Sequence, residues 1–142
     1  IGAQVEITTI PGYLPINNDK NLTEMYKINA SDLVGDDKVG QAGHSGGSTD
    51  MGDISQLMPT IHPYVHSASG DGHGIDYVVE DYNSAVITAA KAMALTVVDL
   101  LHGNGEKGKE IVDKFEPLLT KDVYLKLLRS MYRQETFEGL SN

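Results

Sequence analysis

Residues Asp81–Gly103, DYNSAVITAAKAMALTVVDLLHG, decide the fold class. From Ala85 to Leu101 nearly every residue is apolar or small, and no proline or glycine interrupts the run. Asp81 or Asn83 can cap its start by accepting a hydrogen bond from a free backbone N–H, and Gly103 can close it after His102. At ~100° per residue, Ser84, Thr88, Lys91, Asp99 and His102 gather into one narrow polar stripe, which leaves the rest of the circumference apolar. The sequence therefore predicts a helix buried on most sides, as in a layer packed against a sheet, and hence an α/β fold. Lys91 is expected to snorkel or to pair with an acid.

Upstream of this helix, Gln4 to Ile10 alternates apolar and polar residues and is rich in β-branched types, which predicts a half-buried strand ended by Pro11-Gly12. An extended crossover, Tyr13 to Asp19, leads to a helix from Asn18 to about Ala30, with Leu22, Met25 and Tyr26 on one face. Gly35-Asp36-Asp37 makes a turn. Short strands are predicted at Lys38–Ala42 and at Thr60–Val65, the latter at an edge or end because Pro63 cannot donate to a ladder. Asp50 to Leu57 can form one or two helical turns. Downstream, Ile111, Val112, Phe115, Leu118 and Leu119 mark one weaker amphipathic helix, bent or ended by Pro117. Tyr124, Leu127, Leu128 and Met131 mark a second, capped by Thr120.

At 142 residues the chain fits one domain with a core of its own. A net charge of −9, with 11 basic residues scattered singly, leaves no stripe that could track a phosphate backbone, so nucleic acid is not an expected partner. With no cysteine there is no disulfide and no thiolate, and any metal must be held by His, Asp or Glu. That composition fits a reducing cytoplasm. No apolar run approaches the roughly 20 residues needed to cross a bilayer, so no membrane partner is expected. The chain opens at Ile1, almost directly on a strand, which reads as a piece of something longer.

The chemistry concentrates in Gly43–His73, GHSGGSTDMGDISQLMPTIHPYVHSASGDGH. Four of the five histidines lie there, His44, His62, His66 and His73, together with Asp50, Asp53 and Asp71 on glycine-loosened backbone. Three readings compete. Gly43-His44-Ser45-Gly46-Gly47 matches the G-x-S-x-G turn that presents a serine nucleophile, but the polar, glycine-broken approach lacks the apolar strand this motif requires. A phosphate-binding glycine loop is disfavoured because no lysine follows the glycines and Asp50 and Asp53 would repel the anion. Metal chemistry is the third. His73, between Gly72 and Gly74, could reach a divalent cation, although a catalytic zinc needs about three protein ligands and no paired spacing such as H-E-x-x-H occurs. His62 and His66 are expected at strand ends with their rings in solvent.

The ordered segments Gly46-Gly47-Ser48-Thr49-Asp50-Met51-Gly52-Asp53-Ile54-Ser55, Pro59-Thr60-Ile61-His62-Pro63-Tyr64, Gly72-His73 and Ala89-Ala90-Lys91-Ala92-Met93-Ala94 resemble the C-terminal part of the zinc-dependent amidohydrolase and exopeptidase family. That family includes aminoacylases and carboxypeptidases, and the nearest likeness is to its aminobenzoyl-glutamate hydrolase branch. The likeness spans roughly residues 1–102. It departs at Thr49, where many relatives carry an acid, and at Gly74-Ile75, where many carry Ser-Pro.

The resemblance implies the C-terminal portion of a zinc-exopeptidase-like (phosphorylase/hydrolase-like) three-layer α/β domain with few strands and about four helices. Residues 1–10 would be the last strand of an inserted lid or dimerisation domain, and 11–142 the C-terminal part of the catalytic domain. It further implies two zinc ions, or manganese or cobalt, in the complete enzyme. His73 would match the family's last metal ligand, with Asp50, Ser48, Thr49, Gly47 and His62 about the substrate pocket. The implied reaction is hydrolysis of an amide bond in an N-acyl amino acid or dipeptide by metal-activated water, in a homo-oligomer. The general-base glutamate and the remaining ligands would lie upstream, so this chain by itself is expected to be inactive. The alternatives are a self-associating α/β binding module without catalysis, or a serine hydrolase using Ser45.

Overall fold

The computed structural model describes residues 2–41, 43 and 48–139. Among them the chain is mixed helix and strand, with four α-helices and two separate two-stranded antiparallel sheets. Strand β1 (Gln4–Thr9) pairs with the last strand, β4 (Arg133–Glu138), in a register that sets Val5 opposite Phe137 and Ile7 opposite Glu135. The β-branched alternation of β1 thus makes a strand as its sequence predicts. The expectation that it is half-buried fails, because both strands are exposed along almost their whole length. Among the described residues none covers Val5, Ile7 and Phe137, which are exposed.

Helix α1 (Lys20–Val34) starts where Asp19 accepts a hydrogen bond from Leu22 N at 2.8 Å. It runs about a turn beyond the predicted end, until Gly35 leaves helical geometry at φ +93°. The predicted face holds: Leu22, Met25 and Tyr26 are half-buried and Asn29 is buried. A single 3-10 turn, Asp36–Lys38, follows, and Val39–Gln41 form no strand. Short helix α2 (Asp50–Ser55) is capped by the Thr49 hydroxyl.

Thr60–Val65 is not a strand either. Pro63 removes a donor from the middle of the segment, and its outer bonds go singly to the crossover: Asp19 N donates to Thr60 O at 2.9 Å, and His62 N donates to Asn18 Oδ1 at 3.0 Å. The strands of this region are instead the two-residue pair β2 (Ala68–Ser69) and β3 (Val78–Val79).

The long apolar segment enters through a π-helical stretch, Asn83–Thr88, capped by Asp81, and continues as α3 (Ala89–Lys114). Residues His102 to Gly105 leave helical geometry, with Gly103, Asn104 and Gly105 all at positive φ, so the chain turns there as Gly103 foretold. Taken through that break, Asn83–Lys114 is long and apolar enough to cross a membrane by length and composition. The unbroken apolar part, Ala85–Leu101, spans only about 25 Å at 1.5 Å per residue. Helix α4 (Lys121–Met131), capped by Thr120, completes the set.

The expected burial of the long helix is overturned. What it buries, against α1, is its small and polar seam: Ala92 is 2% exposed, and Thr96 is also buried. There Asn29 Nδ2 donates to Asp99 Oδ2 at 2.7 Å and to Thr96 Oγ1 at 3.3 Å, while the Thr96 hydroxyl donates to Ala92 O. Alanines let the two backbones approach closely enough for these bonds. The cost is that Met93, Val97 and Leu101 are exposed.

Candidate functional site

The predicted site loop divides into a buried half and an exposed half. Residues 49–60 are strapped beneath the crossover 11–19. Leu14 N donates to Asp53 Oδ1 at 3.3 Å, Asn17 N donates to Ser55 Oγ at 2.9 Å, and Gln56 Nε2 donates to Pro15 O at 2.6 Å. Ser55 Oγ in turn donates to Gly52 O, so a hydroxyl with 0% exposure has both a donor and an acceptor partner. Gly52 is required here by contact rather than by turn geometry. A Cβ on it would collide with Leu14 O. From α4, Tyr124 has its phenol pKa pushed up by burial first and then by the Asp53 carboxylate. Asp53 is a structural acid that holds the crossover in place through Leu14 N.

The sequence-predicted site residues fall around this network. Thr49 is half-buried, donating its hydroxyl to Asp50 Oδ1 at 3.1 Å, and Ser48 and Asp50 are exposed. His44, Ser45 and Gly47 lie outside the described residues. His66 is exposed, as expected of a loop histidine.

His62 departs from the expectation of a solvated ring. It is half-buried, packs edge-on against Tyr64 with ring centroids 5.0 Å apart, and its Nδ1 is buried with no hydrogen-bond partner among the described residues. A buried polar atom left unmet costs about 1–3 kcal/mol, so it asks for a partner. Nothing in the local sequence signals this, because the burial comes from the crossover docking on Thr60 and His62.

His73 sits on the exposed turn between β2 and β3. The turn is closed by Gly74 N donating to Asp71 O at 2.7 Å, and the hairpin by Ser69 Oγ donating to Glu80 Oε1 at 2.6 Å. His73 holds φ +68°, a left-handed conformation shared among the described non-glycine residues only with Asn104. That conformation is sparsely populated for residues with a Cβ.

Among the described residues no three His, Asp or Glu side chains converge as a metal's ligands would. Among the described residues, His73 stands alone on its hairpin turn as a candidate ligand. A cavity of about 700 Å³ lies elsewhere, between α1 and the second half of α3, floored by Met25, Ile28, Val98 and Ile111. No predicted site residue lines it. The lysines at its rim, Lys107 and Lys114, both pair with Glu110, at 3.4 and 2.7 Å, and hold that carboxyl below the usual carboxylate range.

The arrangement is thus a small mixed α and β chain in which a polar network positions a histidine-bearing loop. Compared with known proteins, it matches no family model, no curated protein and no solved structure.

Proposed function

We propose that the chain is the C-terminal part of the catalytic domain of a metal-dependent amidohydrolase, one that hydrolyses the amide bond of an N-acyl amino acid or a dipeptide. Supporting this reading is the backbone of His73: a non-glycine residue held left-handed on a closed hairpin turn, with its side chain accessible. Strain of about 1–3 kcal/mol at such a position persists where the side chain's placement matters. The order of the segments around Asp50, His62 and His73, which resembles that of the zinc-dependent family, sets the reaction class. In the complete protein His73 contributes one ligand, and further ligands and the general base come from other polypeptide. The unmet Nδ1 of His62 and the exposed Ser48 and Asp50 then belong to the substrate side.

The test substitutes His73 with glycine. The 142-residue chain should gain about 1 kcal/mol of stability in urea unfolding, because glycine adopts this φ freely. The product of the complete reading frame, given zinc and N-acyl amino acids, should lose bound metal and amide hydrolysis together. Full activity in the His73→Gly protein would overturn the reading, as would amide hydrolysis by the 142-residue chain alone.

A further inference from the structure

The cavity between α1 and the second half of α3 belongs to no part of the site described above. Asn21, Glu24, Met25 and Ile28 line it from α1, and Lys107, Glu110, Ile111 and Lys114 line it from α3. Each set is spaced i, i+3, i+4, i+7, so one face of each helix borders the space. The departure from helical geometry at His102–Gly105 lets Val98 and Ile111, which a straight helix would hold about 20 Å apart, border it together. Its volume of about 700 Å³ falls within the roughly 300–1,000 Å³ of small-molecule sites, and like them it joins an apolar floor to a few polar groups.

The charges around it are unevenly matched. Lys107 and Lys114 both pair with Glu110, so an anion entering the cavity would have to compete with that carboxylate for them. Glu24 has only Lys27, 3.9 Å away, and both side chains are exposed, so water screens the pair. Asp99 receives a neutral amide: Asn29 Nδ2 donates to its Oδ2 at 2.7 Å, and no other described residue donates to it. Asn29 is 7% exposed and also donates to Thr96, so the Asp99 carboxylate is held in place in advance of any ligand. Three carboxylates thus border the cavity against two ammoniums, in a chain of net charge −9. Both the nearby acids and the field of the whole chain favour a cation there.

We propose that this cavity binds an organic cation, a primary ammonium carried on an apolar alkyl or aryl body. The body lies against Met25, Ile28, Val98 and Ile111, and the head is met by Asp99 and Glu24. The site does not rest on the hydrolase reading and needs no metal.

The probe is 4-phenylbutylammonium, with 4-phenylbutanol as its neutral counterpart and 4-phenylbutyrate as its anionic one. Each is titrated into the 142-residue chain with isotope-labelled methionine and isoleucine methyls and followed by NMR. Met25, Ile28 and Ile111 report the cavity, while Met93, exposed on the other side of α3, reports non-specific binding. The expected result is saturable shifts at the three cavity methyls and none at Met93, with the ammonium bound at least about tenfold more tightly than the alcohol or the carboxylate. Asp99→Asn, and Glu24→Gln on an exposed side chain, should each weaken the ammonium about three- to tenfold and leave the alcohol unchanged. Raising salt from about 20 to about 500 mM should weaken the ammonium alone.

Equal binding of the three probes would overturn the proposal, because the acids would then read nothing. Preference for the carboxylate would move the head to the lysines and overturn it as well. Shifts at Met93 in step with those of the cavity, or the absence of any saturable shift, would do the same. Binding to the 142-residue chain that disappears in the complete reading-frame product would assign the cavity to further polypeptide, and the proposal falls. Binding that persists there, with or without zinc, upholds it whatever becomes of the hydrolase reading.

Discussion

Residues 49–60 and residues 83–101 invert the usual relation between polarity and burial. The first segment is rich in polar groups, yet Asp53, Ser55, Gln56 and Thr60 are buried. The second is almost wholly apolar, yet Ala92 and Thr96 are its only buried positions. In the first, Asp53, Ser55 and Gln56 each meet a backbone partner from the crossover and the Thr60 hydroxyl donates to Met58 O, so their desolvation is offset bond by bond. In the second, no described residue covers the apolar face. Burial in these two segments follows hydrogen bonding rather than hydropathy.

The sharpest way to break that contrast is Gly52→Ala. Its Cβ would collide with Leu14 O, so the crossover must lift from α2, at a cost of about 3 kcal/mol in urea-induced unfolding. A cost below about 1 kcal/mol would show that the strap is not closely packed. Ser55→Ala should come next, at about 2 kcal/mol, because it leaves Asn17 N without its acceptor in a part-buried position. If hydrogen bonding governs this segment, Ser55→Thr, which keeps the hydroxyl, should recover less than Ser55→Gly loses only where the extra methyl clashes; comparing the three by thermal melting separates the two effects.

Leu101→Gln, by contrast, should change the stability of the 142-residue chain by less than about 0.5 kcal/mol despite removing a large apolar side chain. A loss of 2 kcal/mol would mean that the outward face is already covered. The smallest effect is on pH. Hydrogen bonds from the Ser84 side chain and backbone hold the Asp81 carboxyl below the usual carboxylate range. A lowered folded-state pKa gives stabilisation that is present above the unfolded value and lost as pH falls through the folded one. Acid titration monitored by circular dichroism should therefore fray the start of the Asn83–Leu101 helix at the low end of the carboxylate range, and Asp81→Asn should reduce that dependence.

Much of this architecture is written in local chemistry. Asp19, Thr49, Asp81 and Thr120 cap the helices they precede, Gly35 and Gly103 end helical runs, and the alternation of Gln4 to Thr9 makes a strand. Such features concern groups within a few residues of one another, so neighbouring side chains suffice to predict them. The strand expected at Thr60–Val65 failed for the opposite reason: its backbone partners come from Asn18 and Asp19, more than 40 residues away, and they tie it down singly rather than in a ladder.

The candidate site divides along the same line. That His73 lies on a glycine-rich loop and that Asp50 follows a glycine-rich stretch is plain from residue types alone, whereas the left-handed backbone of His73 comes with the closing of the β2–β3 hairpin and the unmet Nδ1 of His62 with a crossover more than 40 residues away. Hydropathy correctly marked Ala85–Leu101 as helix, whereas the burial it implied is not found. Which side α1 would cover was settled in three dimensions, where Asn29 reaches Thr96 and Asp99 and draws the polar seam inward, leaving the apolar face outside.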